Sequence, residues 1–158
     1  MVAVKRRFVD SVRVSIGITL LVFVWPLTVC ASSSPVNVDA DKIAVSGYDL
    51  VSYFDSHAEP GEQSFSARYQ GAAYLFSSVA HLELFKADPQ RYLPAYGGYC
   101  AYGVSMGKRL AIDPERYEVV AGRLYLLLNR ITKKTWQLDR AGNIDVADRL
   151  WREELTTP

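Results

Sequence analysis

The imidazoles of His57 and His81, the thiol of Cys100 and the thioether of Met106 are the side chains whose types first suggest a transition-metal site in the body of this sequence. An imidazole nitrogen, a thiolate and a thioether together suit copper. His81, Cys100 and Met106 are therefore the candidate metal ligands, provided that the Cys100–Met106 loop folds against the start of the His81 helix. His57 is a candidate fourth ligand, but it lies in the polar stretch Ser56–Gly61, where an exposed position is expected. Plainer readings stand beside these. His81 shares a helix face with Leu84 and Phe85 and would then pack on the helix surface. Cys100, between Tyr99 and Tyr102, would be a small buried residue, or else a redox thiol if its surroundings favour the thiolate.

The usual announcements of a reaction are missing. No glycine-rich phosphate loop is present. Neither a nucleophile elbow nor an H-E-x-x-H helix occurs, and there is no C-x-x-C pair. The expectation is a non-catalytic protein that binds or handles a metal. A metal-free protein-interaction domain, offering some of its ten tyrosines to a partner, is the alternative. A third reading is a thiol redox protein acting through Cys100. Asp49 is expected to cap the segment Leu50–Phe54, and Arg91 and Arg116 to form surface ion pairs of small worth.

In the scaffold that must position these groups, two segments read as β-hairpins. Gln70-Gly71 and Ala121-Gly122 each sit between a short β-type run and an aromatic-aliphatic run. Each second run leads to a helix-capping residue, Ser78 or Asn129. Helices are predicted over Ser78–Ala87, Asn129–Leu138 and Ile144–Glu154, the last with Ile144, Ala147, Trp151 and Leu155 at helical spacing. Strands and helices mix without βαβ alternation, so the fold class is α+β, a single small domain of two hairpins and about three main helices. The two hairpins echo each other, and Asp88-Pro89-Gln90-Arg91-Tyr92 echoes Asp113-Pro114-Glu115-Arg116-Tyr117. Either a duplication or reuse of common turn chemistry explains these echoes.

The first residues read differently. Lys5, Arg6, Arg7 and Arg13 precede an apolar run from Val14 to Val29, and Val29-Cys30-Ala31 fits small-x-small cleavage. Residues 1–31 are therefore expected to be a signal peptide, 32–37 a linker and 38–155 the domain. The location follows as periplasmic or secreted. A lipoprotein anchored through Cys30, or a retained anchor, are the alternatives. Cleavage leaves Cys100 as the single cysteine, so no internal disulfide can form. Of the 18 basic and 17 acidic residues, four and one lie in residues 1–31, leaving 14 and 16, a formal −2. That charge gives no reason to bind nucleic acid or anionic lipid.

Several segments taken together resemble one family. They are Gly47-Tyr48-Asp49-Leu50-Val51-Ser52-Tyr53-Phe54, Tyr69 through Ser78, Phe85-Lys86-Ala87-Asp88-Pro89 with Tyr92, Tyr96-Gly97-Gly98-Tyr99-Cys100-Ala101, and Gly122-Arg123-Leu124-Tyr125-Leu126. The chain resembles an exported bacterial YHS-domain protein from about Ala44 to Trp151. The resemblance implies a treble-clef-like metal module, with two cysteine ligands one helical turn apart just after the Tyr-x-Phe strand. Those positions are Ser77 and His81 here, so hydroxyl and imidazole stand where thiolates would.

Overall fold

Two tight turns set the architecture. Gln70 and Gly71 have φ of 47° and 82°, and Ala121 and Gly122 have φ of 50° and 76°. Positive φ at both central residues is the two-residue hairpin turn whose twist matches the flanking strands. In this computed structural model, which describes residues 36–156, the turns join β1 (Glu62–Tyr69) to β2 (Ala72–Phe76), and β3 (Asp113–Val120) to β4 (Arg123–Leu127). Both pairs are antiparallel, and each is a separate two-stranded sheet.

Each hairpin runs into a capped helix. The Ser78 side chain accepts from the His81 amide and starts α1 (Val79–Ala87); Asn129 accepts from the Thr132 amide and starts α4 (Arg130–Leu138). Between them lie two short helices, α2 (Pro89–Tyr92) and α3 (Ala101–Ser105), and the last described element is α5 (Arg140–Thr156). The expected α+β class with two hairpins and three main helices (α1, α4 and α5) is what the structure has, and the short helices α2 and α3 are added to it. Helix α5 begins four residues earlier than its apolar spacing suggested, because Asp139 accepts from the Gly142 amide and caps it. Val36 and Asn37, assigned to the linker by composition, belong to the packed body. Val36 lies on the core, and Asn37 bonds to Gly97 and Gly98 carbonyls. The signal-peptide and lipidation readings fall on residues outside the described ones. No helix among the described residues is long and apolar enough to cross a membrane.

The hairpin echo is the visible part of a full internal repeat. Element starts recur 51 positions later: 62 and 113, 72 and 123, 79 and 130. Strand register repeats as well. Glu62 faces Phe76 and Ser66 faces Leu75 across a bulge, as Asp113 faces Leu127 and Tyr117 faces Leu126. The isolated parallel bridge Ile43–Ala73 returns as Pro94–Leu124. Even an irregular turn is copied: Val45, Ser46 and Gly47 have φ of 52°, 53° and 78°, and Tyr96, Gly97 and Gly98 have 56°, 61° and 82°. A β-branched residue in that region is strained. The positive φ recurs at Tyr96, which is not β-branched, so the conformation belongs to the repeat rather than to a site. The Asp-Pro echo is not part of this pattern, since 88 and 113 are 25 apart; Asp88 caps α2, whereas Asp113 opens β3.

The repeats pack around two apolar clusters. The first gathers Leu50, Tyr53, Tyr74, Phe76, Phe85 and Tyr92; the second gathers Tyr96, Cys100, Val104, Leu127, Trp136 and Ala147. Strand β4 divides them, because successive side chains point to opposite faces. Leu124 and Leu126 enter the first cluster, Tyr125 and Leu127 the second. Helix α5 is fastened to the second hairpin by Asp148, which takes two hydrogen bonds from Arg123 and one from the Tyr96 hydroxyl.

Candidate functional site

The chain places one carboxylate in the interior beside an imidazole. Asp49 follows the left-handed turn Val45–Gly47 and is fully buried. Its Oδ1 accepts from the Val51 amide at 2.8 Å; the expected capped segment is a short 3-10 helix, Ser52–Asp55, whose cap position falls on Val51 instead of Asp49. Its Oδ2 does more. It accepts from the Ser77 amide and hydroxyl, each at 2.8 Å, and from His81 Nδ1 at 2.6 Å. Ser77 directly follows β2 and His81 lies one turn later on α1, so the hairpin-helix junction aims three donors at one oxygen.

These bonds fix the charge state. Burial pushes the Asp49 carboxyl up, but donation from Ser77, His81 and Val51 outweighs it, and the group is held below the ordinary carboxylate range. An ionised carboxylate only accepts hydrogen bonds. A neutral His81 therefore carries its proton on Nδ1 and turns the bare Nε2 outward. That nitrogen lies 3.7 Å from Asp55 Oδ2, with the Asp55 side chain 60% exposed and the His81 side chain 19% exposed. Ser77 sits on the Nδ1 side, 3.4 Å away. A serine nucleophile needs the outward nitrogen as its base, so this is not a hydrolytic triad.

A loop folds over the same place. The Asp49 amide donates to the Glu59 carbonyl at 2.8 Å, and the His57 amide to the Ser52 carbonyl at 3.3 Å. The loop carries Asp55, His57 and Glu59. His57 Nε2 is 3.3 Å from Glu59 Oε2, with both side chains about half exposed, at 53% and 45%. Both histidines of the chain thus flank Asp55.

Cys100 and Met106 belong to the other repeat. With the 51-residue offset, Cys100 stands where Asp49 does, and Met106 where Asp55 does. The Cys100 amide bonds to the Leu110 carbonyl, just as the Asp49 amide bonds to the Glu59 carbonyl. The thiol is fully buried in the second cluster, while Met106 is 48% exposed at the end of α3. The three candidate ligands thus lie on different elements: His81 on α1 of the first repeat, Cys100 in the second apolar cluster and Met106 at the end of α3. Among the described residues, no three histidine, cysteine, aspartate or glutamate side chains stand together as a metal cluster. Sequence reading found His81 and missed its partners Asp49 and Asp55. The available signal was the in-register hairpin echo, which places Cys100 opposite Asp49.

The repeat also serves as an internal control. Asp49, Asp55, His57, Glu59, Ser77 and His81 correspond to Cys100, Met106, Lys108, Leu110, Leu128 and Thr132. The same backbone is built without the carboxylates, the serine or the imidazoles. The fold does not demand this polar set, and the first repeat alone concentrates it.

The chain matches no family model, no curated protein and no solved structure at a significant level.

Proposed function

We propose that this chain is an exported, non-catalytic YHS-like module that binds or handles a divalent transition metal through His81 Nε2, with Asp55 as co-ligand. The observation that carries the reading is the buried Asp49 carboxylate 2.6 Å from His81 Nδ1. Ligating histidines almost always give their second N–H to a carboxylate, a carbonyl or water, which fixes the tautomer and raises ligand basicity. The 3.7 Å between Nε2 and Asp55 Oδ2 supports it. Two ligands each about 2.0–2.2 Å from a shared ion reach that separation at roughly 120°.

Nitrogen and carboxylate ligands without accessible sulfur favour Cu(II), Zn(II) or Ni(II) over Cu(I). Copper stays in the proposal as Cu(II), and Cys100 and Met106 leave the ligand set. The decisive measurement is calorimetric titration of the purified full chain with Cu(II) and Zn(II). One ion per chain is expected, with His81→Thr abolishing binding and Cys100→Ser leaving it unchanged. Threonine is chosen because the second repeat carries Thr132 at that position on the same backbone. A wild-type chain that binds neither ion refutes the reading and leaves a metal-free interaction domain.

A further inference from the structure

His81 and Asp55 give an ion two protein ligands, which is fewer than a tightly held transition metal takes. We propose that His57 is the second imidazole of the site and swings from Glu59 onto the ion held by His81 and Asp55. The proposal rests on the metal reading above and extends it.

Four observations support His57 in that role. Only one residue separates it from Asp55, so their Cα atoms lie within about 7 Å, inside the reach of two side chains. Its ring is 53% exposed and is held by exposed partners only, Glu59 Oε2 and the Asp55 carbonyl, each at 3.3 Å. Nothing buried is disturbed when the ring turns. The backbone beneath is anchored: Asp49 and Ser52 bind Glu59 and His57 main-chain atoms, and Ser52 Oγ accepts from the Glu59 amide at 3.3 Å. A rotamer change on a pinned loop costs little beyond side-chain ordering. Finally, the corresponding loop of the second repeat reads Met106-Gly107-Lys108-Arg109-Leu110, with a cation in place of His57 and no carboxylate. Imidazole and carboxylates are thus absent from that loop, and the second repeat also lacks the counterpart of His81.

Glu59 keeps a role in this scheme. Its carboxylate holds His57 before the ion arrives and is released beside a cation, where it lowers the local potential or takes a further coordination position. The result is a site of two imidazoles and one or two carboxylates, half pre-formed at His81 and half supplied by the loop.

Copper(II) added in a one-to-one ratio to the purified full chain gives a direct reading, because pulsed electron paramagnetic resonance counts imidazoles on the ion. Two are expected in the wild type and one in His57→Ala, with affinity at least about tenfold weaker. Glu59→Gln should retain two imidazoles. A wild-type spectrum with one imidazole, or His57→Ala with unchanged affinity, overturns this inference and leaves the His81 reading standing. Absence of tight copper binding in the wild type overturns both. Circular dichroism of His57→Ala should match the wild type, since the ring is half exposed and its polar partners lie at the surface.

Discussion

Replacing Asp49 with asparagine changes one atom and separates the role of charge from that of shape. The carboxylate accepts four hydrogen bonds: Val51 N–H on Oδ1, and Ser77 N–H, Ser77 O–H and His81 Nδ1–H on Oδ2. An asparagine that keeps its oxygen toward the buried Val51 amide presents an NH₂ group to the other three. The Ser77 hydroxyl can rotate and accept. The Ser77 amide cannot, and a stranded donor costs about 1–3 kcal/mol. Flipping the side-chain amide only moves the loss to Val51. The imidazole meets the new donor by shifting its proton to Nε2, so the outward nitrogen loses its lone pair. Metal affinity should fall about 10–100-fold, the range for losing the outer partner of a ligating histidine. Asp49→Ala strands both amides, and about 2–6 kcal/mol follows from the same per-donor figure. The pH dependence has a definite sign. Because the folded carboxyl is held below its ordinary value of 3.8, Asp49 contributes stability above that pH and loses it as pH falls through the folded value. The acid limb of wild-type stability below about pH 4 should flatten in Asp49→Asn. Urea melts at pH 7 and below pH 4, with Zn(II) competition titrations, measure both effects. An asparagine variant with wild-type stability and wild-type affinity would refute the claim that this charge orders the site.

Two further expectations concern the scaffold. Trp136 is fully buried and its Nε1 has no acceptor, whereas the first repeat has Phe85 at the corresponding position. Trp136→Phe removes the orphaned N–H, worth about 1–3 kcal/mol, and this gain is offset because the smaller ring buries less apolar surface. Net stability by urea melt should stay within about 1 kcal/mol of wild type, while Trp136→Ala should cost about 3–5 kcal/mol; a phenylalanine variant as unstable as the alanine one overturns this. Ala121 has φ of 50° at the first turn position. Asparagine tolerates that region, where an L-alanine is disfavoured by about 1–2 kcal/mol. Ala121→Asn should therefore stabilise the fold by up to about 1 kcal/mol, and a lower melting temperature would contradict the turn assignment.

Local chemistry was the part of the fold legible in the sequence. Gln70-Gly71 and Ala121-Gly122 announced the turns, and Ser78 and Asn129 announced the helix starts, because turn and cap preferences act within four residues. The repeat was only half legible. Between residues 36–87 and 87–138 the aligned pairs Ala44/Ala95, Gly47/Gly98, Tyr48/Tyr99, Gly71/Gly122, Tyr74/Tyr125 and Leu75/Leu126 are identical. These are turn glycines and core residues, and such positions keep their type because backbone conformation and packing volume constrain them. Elsewhere the two copies share almost nothing, so an out-of-register Asp-Pro match looked as good as a true one. At the site, His81 was legible as a ligand type. Its partner was not, since Asp49 lies 32 residues away and reads locally as a cap.

That divergence is itself the strongest argument about function. A buried carboxylate is unfavourable, and it persists only where several donors offset the desolvation. The second repeat avoids the problem by placing a neutral thiol, fully buried, at the corresponding position and a leucine where Ser77 stands. It forms the same hairpin, the same bulge and the same capped helix regardless. Folding therefore had a less demanding solution available in this very chain. What Asp49 adds over Cys100 is an imidazole oriented through Nδ1, with Nε2 3.7 Å from the Asp55 carboxylate, an arrangement that the second repeat folds without.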